Sequence, residues 1–374
     1  MNTYLKKLLE NPNKYISNSS DIISVENINN NLFILTDNSN KNNTFTTSFA
    51  TMYLAYPYDE LKFYFNNIHW FIRFFVIGFF NILLSLINLL DFGKAIYVNN
   101  LCLSTNLYEN SFIDNFNIND INYEYPIIIR SIYQQEHIKK LELLGFKKII
   151  SRKIYILDPN NIKSKHKKYI KEDNRDLQKF INLGYTIHYA LDEESKLKIT
   201  DQQIERFKYL YDKLYLDKYS KFNPQFTTEW IKLFINLENT GLIWLEDSNH
   251  ITQAVFGYYI VDNYMTIPLF GYNTDYKLYT SLSYLMFQQV NQLNLIGSQP
   301  RPRESWGLQP RPQGCRGHFS GGVGKYKKQR GAIEHIEYNL VYYSHLPFRK
   351  KISYIIMTFI SNLLINIKKN SFLD

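Results

Sequence analysis

The stretch Tyr123–Asp158, YEYPIIIRSIYQQEHIKKLELLGFKKIISRKIYILD, sets the architecture. It opens on an apolar strand and passes into a segment whose Ile138, Leu141 and Leu144 recur at helical spacing. It stops at Gly145 and resumes as a second strand. A comparable order returns downstream. GLIWLED (Gly241–Asp247) and ITQAVFGYYIV (Ile251–Val261) read as strands joined by the turn SNH, NYMTIPLFGY follows as a third strand, and LYTSLSYLMFQQVNQL (Leu278–Leu293) reads as a helix. The simplest description is α/β (α+β) with two halves, 1–160 and 181–347. A charged linker covers 161–180, and an amphipathic helix covers 348–374.

Composition is consistent with a chain that buries a core: 374 residues, 45% hydrophobic, 16% aromatic and 21% charged. Cys102 and Cys315 are too few for a disulfide framework and form no C-x-x-C pair, so a reducing cytoplasm is expected. The net charge of +9 favours anionic partners such as CoA phosphates, a tRNA or an acidic lipid surface, without choosing among them. The opening MNTYLKKLLENPNKYI lacks the apolar run of a signal peptide, so no export is expected. The Asn-rich runs 29–31 and 38–43 read as surface loops.

Two apolar stretches bear on lipid. The uncharged FFVIGFFNILLSLINLL, 74–90, lies in an expected helix over 68–90; its 17 residues are at the lower limit for a membrane span. Asn81, Ser85 and Asn88 give it one polar stripe, which favours a buried or membrane-surface helix. Ile352–Ile367 is flanked by Arg349, Lys350, Lys351, Lys368 and Lys369, which leaves peripheral membrane contact open. GSQPRPRESWGLQPRPQGCRG (Gly297–Gly317) stands apart: four prolines, four arginines, QPRP twice at a ten-residue offset, and no Ile, Asn or Lys. It reads as an inserted, disordered surface loop, and its arginines do not count toward a basic patch.

After that stretch comes HFSGGVGKYKKQRGAIEHIEYNLVYYSHLP (His318–Pro347). Together with AIYVNNLCLSTNLYEN (Ala95–Asn110), the RS and GF elements around Arg130 and Gly145, LYDKLYLDKYSKFNPQFT (Leu210–Thr227) and IPLFGYNT (Ile267–Thr274), it resembles the tandem GNAT-type N-acyltransferases of bacteria. These are distantly similar to the Fem-type (FemAB-like) transferases that build peptidoglycan bridges. The resemblance implies two GNAT-like halves, each a mixed central sheet flanked by helices, in which two strands part to hold the pantetheine arm of an acyl-CoA. The usual glycine-rich pyrophosphate turn is replaced by FGYNTDYKLYTSL, so Tyr272, Asn273 and Thr274 become the donor-binding candidates, and they suit a helix cap equally. Gly321, Gly322, Gly324 and Arg330 form a second candidate donor site, since a glycine-rich turn with basic followers suits phosphate; a solvated loop is the alternative.

Acyl transfer to an amine needs a proton acceptor and a group that stabilises the oxyanion. By analogy with the aromatic-Lys pair of Fem-type enzymes, Lys327 is the first catalytic candidate. Glu337, Tyr338 and His318 are candidates for proton handling, with His345 behind them; Tyr338 suits a packed strand as well. Lys218, Tyr219, Ser220 and Asn223 resemble part of an acceptor cleft, faced by Asn100 from the first half, or they cap a helix end and its turn. The expected activity is transfer of an acyl group, acetyl first among them, from acetyl-CoA or another acyl-CoA to a small-molecule or peptide amine, with no metal. A Fem-like aminoacyl-tRNA-dependent transferase acting on a cell-envelope precursor and an inactive binding protein are the alternatives. There is no zinc-finger, helix-turn-helix or RNP pattern, so no specific DNA binding is expected, and tRNA enters only as an acyl carrier. A G-x-S-x-G elbow and a P-loop are also missing.

Overall fold

The computed structural model describes residues 3–28, 31–37, 43–57, 59, 78, 92–118, 124–298 and 314–370. Apart from Gly78, the expected helix over 68–90 lies outside the described residues, as does 299–313 of the Pro/Arg-rich stretch.

Eleven strands are described: β1 (Ile22–Ile28), β2 (Asn31–Asp37), β3 (Lys94–Val98), β4 (Ile127–Ile132), β5 (Lys147–Leu157), β6 (Thr186–Ala190), β7 (Thr240–Glu246), β8 (Thr252–Val261), β9 (Tyr264–Tyr272), β10 (Arg316–His318) and β11 (Ile333–Tyr342). They form one mixed sheet in the order β1-β2-β3-β4-β11-β5-β10-β9-β8-β7-β6. Only β3/β4 and β9/β10 are parallel. Parallel neighbours need a crossover, and helices Asn110–Asn115 and Tyr279–Ser298 lie within the two connections. Each second strand then leads through a helix, Gln135–Leu143 or Gly324–Gln329, to a further strand, β5 or β11.

The same order is therefore run twice, but its last strands are exchanged. β5 comes from the first half and pairs with β10 of the second; β11 comes from the second and pairs with β4 of the first. β5 and β11 also pair with each other at the centre. The two expected halves therefore share one sheet. A domain border should be crossed by few contacts, whereas β11 completes the sheet of the first half. One apolar core likewise spans both halves, from Tyr4 and Phe49 to Trp230 and Met357.

Local chemistry explains the elements. Helix Gln135–Leu143 buries Ile138 and Leu141 and ends at Gly145, whose φ of 93° permits the closing bonds Phe146 N–H to Leu141 O and Gly145 N–H to Glu142 O, both 3.0 Å. The segment expected as a linker is mostly a helix, Ser164–Asn182, closed in the same way at Gly184. Its buried Leu177 joins the core under helix Tyr279–Ser298, and Asp176 accepts a bond from Thr280 at 3.1 Å. At the edges of the Pro/Arg-rich stretch, Gly297 and Ser298 end a helix, while Arg316 and Gly317 belong to β10. Arg316 is held there by Asp158 (3.2 Å) and the Tyr264 hydroxyl (3.1 Å). Loop character does not extend over those residues.

Candidate active site

β9 and β10 pair at Tyr264↔Arg316, Met265↔Gly317 and Thr266↔His318, and there β10 ends. β9 continues to Tyr272. Pro268, two residues past the last pair, has no N–H to offer a neighbour, and the β8–β9 register shifts at the same level, between Gly257 and Tyr259. The chain leaving β10 bends onto β5, Phe319 N–H reaching Tyr155 O at 2.9 Å. It then turns through left-handed residues at Ser320, Gly322 and Val323. A β-branched residue at φ 44° is strained, so Val323 is held there by its surroundings. Gly324 is required by crowding: a Cβ there would sit 2.0 Å from the Tyr155 hydroxyl.

Of the cations that follow this turn, Lys325 and Lys328 are exposed, while Lys327 and Arg330 face inward. Lys327 Nζ donates to the carbonyl oxygens of Phe319, Ser320 and Gly321 and lies 5.5 Å from the Tyr155 ring. Burial, with Arg152 second, pushes its amine down to about 7. Lys327, the first catalytic candidate, thus spends its donors on its own loop. Arg330 is likewise committed, in a two-pronged ion pair with buried Asp173 on helix Ser164–Asn182. Tyr326 donates to the same carboxylate at 2.9 Å. These contacts pin helix Gly324–Gln329.

Beside the turn, three adjacent strands bring together His318 (β10), Arg152 (β5) and Glu337 (β11). Glu337 is 1% exposed and accepts from Arg152 Nε at 3.2 Å and Ser151 Oγ at 3.3 Å. Arg152 Nη2 also donates to Ser104 O at 2.6 Å, tying in the loop that follows β3. His318 is equally buried; desolvation, then Arg152, holds its imidazole down at about 3, so the ring is neutral. Its Nδ1 accepts from Ser320 N–H at 3.3 Å, which assigns the ring proton to Nε2. That Nε2 lies 4.0 Å from Glu337 Oε2 and has no hydrogen-bond partner. His318 is therefore a spare buried donor, where the sequence suggested a base.

Tyr338 lies elsewhere. Strand alternation and the register shift between Glu337 and Tyr338 turn it to the opposite face, among Phe33, Ile96 and Leu340. His345 is also away from the group, on the carbonyl of Tyr125 at 3.1 Å.

Tyrosines border the parted strands. Tyr272 lies 6.3 Å from Tyr279, Tyr279 5.0 Å from Tyr326, and Tyr215 6.2 Å from Tyr219. Burial raises the Tyr272 hydroxyl to about 12 and those of Tyr215 and Tyr279 further. Such rings offer apolar faces with polar tips. The neighbouring donor-binding candidates do not form a phosphate cradle. Asn273 spends its Nδ2 on Gln253 (2.9 Å) and its Oδ1 on Lys213 (2.8 Å), and Thr274 is half-buried in the turn. Gly271 is small because the backbone of Leu210 and Tyr211 crosses it, 2.5–2.6 Å from where a Cβ would be.

Of the acceptor-cleft candidates, Lys218 and Tyr219 adjoin the tyrosines, the ammonium 5.5 Å from the Tyr219 ring. Ser220 and Asn223 are structural: Ser220 Oγ donates to Asp59 (2.8 Å), and Asn223 Nδ2 donates to the carbonyls of Tyr215 (3.1 Å) and Ser220 (2.9 Å). Asn100 is structural too and belongs to the first half. There β3 and β4 pair only at Ile96↔Ile127 and Tyr97↔Ile128. Just past that point Arg130, 2% exposed, bonds Asn100 Oδ1 (2.8 Å), Thr46 O (2.9 Å) and Leu103 O (3.4 Å). Its Nε has no partner, and among the described residues no carboxylate lies within ion-pair distance.

Sequence reading missed Arg152 and the tyrosines. The triplet Ser151-Arg152-Lys153 between the apolar runs Ile149-Ile150 and Ile154-Tyr155-Ile156-Leu157 was the available signal for Arg152; nothing in the spacing of Tyr215 and Tyr279 joined them. Among the described residues no group of three or more His, Cys, Asp or Glu could hold a metal ion.

No protein-family model matches the chain, and no curated protein matches it. Solved structures do. L-PGS from Bacillus licheniformis is 12% identical, with 64% of this chain and 73% of that one covered and a TM-score of 0.43. FemX is 9% identical, with 63% and 74% covered and a TM-score of 0.38. A GCN5-related N-acetyltransferase from Kribbella flavida is 8% identical, with 67% and 81% covered and a TM-score of 0.31.

Proposed function

We propose that the chain is an N-acyltransferase whose activated acyl donor, an acyl-CoA first among the candidates, enters where β9 leaves β10 and is attacked there by an amine. The observation that carries this reading is the parting of those strands beside a buried group that holds both a carboxylate and a spare donor. Unpaired strand backbone suits an amide-bearing arm such as pantetheine, which brings its own donors and acceptors. The attacking nitrogen forms the new C–N bond, and the carbonyl becomes a tetrahedral oxyanion. His318 Nε2–H is suited to bond that oxygen, and Glu337 to receive the nitrogen's proton. Collapse breaks the C–S bond, and the thiolate leaves and takes up a proton. In this scheme Arg152 positions Glu337, and Lys327 keeps the turn closed.

Calorimetry with acetyl-CoA and longer acyl-CoAs tests the donor. Saturable heat displaced by free CoA is the expected result; no heat with any thioester removes the CoA reading. A second reading is favoured by one observation, that Asn273 is spent on its neighbours and the 272–274 turn forms no pyrophosphate cradle. An ester-linked donor, an aminoacyl-tRNA, would undergo the same attack with a ribose oxygen leaving. It predicts aminoacyl transfer and binding that weakens steeply with salt. The acceptor class under this reading is a cell-envelope amine.

A further inference from the structure

The C-terminal helix Phe348–Asn370 is bonded to the protein along one face. Tyr354 Oη donates to Phe92 O (2.9 Å), Ile150 N–H donates to Ser361 Oγ (2.7 Å), and Thr358 Oγ1 shares a bond with the Tyr343 hydroxyl (3.1 Å). Ser353, Tyr354, Met357 and Ser361 are buried there. At 100° per residue these four fall within an arc of roughly 100°.

The opposite face is apolar and uncovered. Phe348 (65% exposed), Ile352 (39%), Ile355 (38%) and Phe359 (68%) fall within roughly 60° of one another on the helix. Single exposed apolar residues are ordinary, but a stripe of four large ones is not. Its flanks are basic: Arg349 lies to one side, Lys351 to the other, Lys350 is exposed in the same turn, and Lys368 and Lys369 follow in the sequence. The helix has no acidic residue in its first turn to neutralise them. Among the described residues no helix is long and apolar enough to cross a membrane.

We infer that this helix lies on an anionic membrane surface, inserting Phe348, Ile352, Ile355 and Phe359 into the headgroup boundary with Arg349 and Lys351 on lipid phosphates. Charge complementarity selects this occupant. A second protein copy would bring the same cations face to face, whereas anionic headgroups neutralise them while the acyl boundary takes the apolar stripe. The inference is independent of the acyl donor.

The test is co-sedimentation of the full chain with vesicles of phosphatidylcholine alone or with 30% phosphatidylglycerol, with light scattering of the protein alone. Binding to the anionic vesicles, at least tenfold tighter than to neutral ones and weakened by salt, is expected. Phe348→Ser with Phe359→Ser should lose it by at least tenfold while the circular dichroism spectrum is kept, because both side chains leave the inner face untouched. Arg349→Gln with Lys351→Gln should lose the preference for the anionic lipid. Leu197→Ser, which removes an exposed leucine far from this helix in sequence (80% exposed), should change nothing. Equal binding to both vesicles, binding that survives the double Phe substitution, or a dimer that this substitution dissociates without any lipid effect would each overturn the inference.

Discussion

The two places where parallel strands separate, β3 from β4 and β9 from β10, arise from the same order of elements and end in opposite states. After β3 and β4 the gap is met by Arg130, whose guanidinium is spent on Thr46, Asn100 and Leu103 in the interior. After β9 and β10 the nearby cation, Lys327, is also spent on carbonyls, but only those of its own turn. The approach is left to tyrosines and to His318 beside Glu337. Topology alone therefore does not make a site. A guanidinium bonded to its neighbours' carbonyls occupies one parting, whereas beside the other a buried imidazole donor lies 4.0 Å from a buried carboxylate.

The sharpest way to break this contrast is Glu337→Gln. If the second parting is catalytic, initial rates of acyl transfer should fall roughly 100- to 10,000-fold, the usual range for losing a positioned proton acceptor. Unchanged turnover would remove the catalytic assignment. Next, Arg130→Met should act on stability: it takes a donor from the Leu103 carbonyl and from Thr46 O and Asn100 Oδ1, which keep Asn100 Nδ2 and Cys102 N–H, and should lower the unfolding free energy in urea by about 1–3 kcal/mol. A loss under about 1 kcal/mol would show that the first parting does not depend on its plug.

The halves should also differ in the sign of their pH dependence. His318 titrates near 3 in the folded chain and near 6.5 when unfolded, so between those values the unfolded chain binds the extra proton and stability falls as the pH drops. Asp21 in the first half has its carboxyl raised by burial from 3.8 to about 7, so the folded chain holds the extra proton and stability falls as the pH rises through that range. Relative to the native chain, His318→Asn should gain stability toward pH 3 and Asp21→Asn toward pH 7, both read from denaturation midpoints. Parallel curves for either variant would remove its group from the account. The smallest effect is expected at the strained turn. Val323→Gly relieves the left-handed strain but frees the unfolded chain, for a net gain of roughly 0.5–1 kcal/mol by thermal unfolding.

Much of the local structure was legible. Gly145 announced its helix stop, and the meander from Gly241 to Tyr272 was visible in its turn residues. His318 and Glu337 were picked out as chemistry-bearing side chains, and the fold brings them within 4.0 Å of each other. The roles were less legible. His318 read as a base and stands as a neutral donor; Tyr338, one residue from Glu337, faces the other side of the sheet; Arg330 meets Asp173, a residue 157 positions away.

By itself, then, the sequence determined the strands and helices of 123–158 and 241–293 and the repetition of their order, because periodicity, caps and turn residues act between neighbours along the chain. Only the tertiary structure decided that β5 and β11 change places, that Arg152 joins Glu337, and which cation plugs which gap. A period-two pattern records that a strand face is buried but not what buries it, and a charged side chain does not show along the chain whether water, a carboxylate or a ring of carbonyls will receive it.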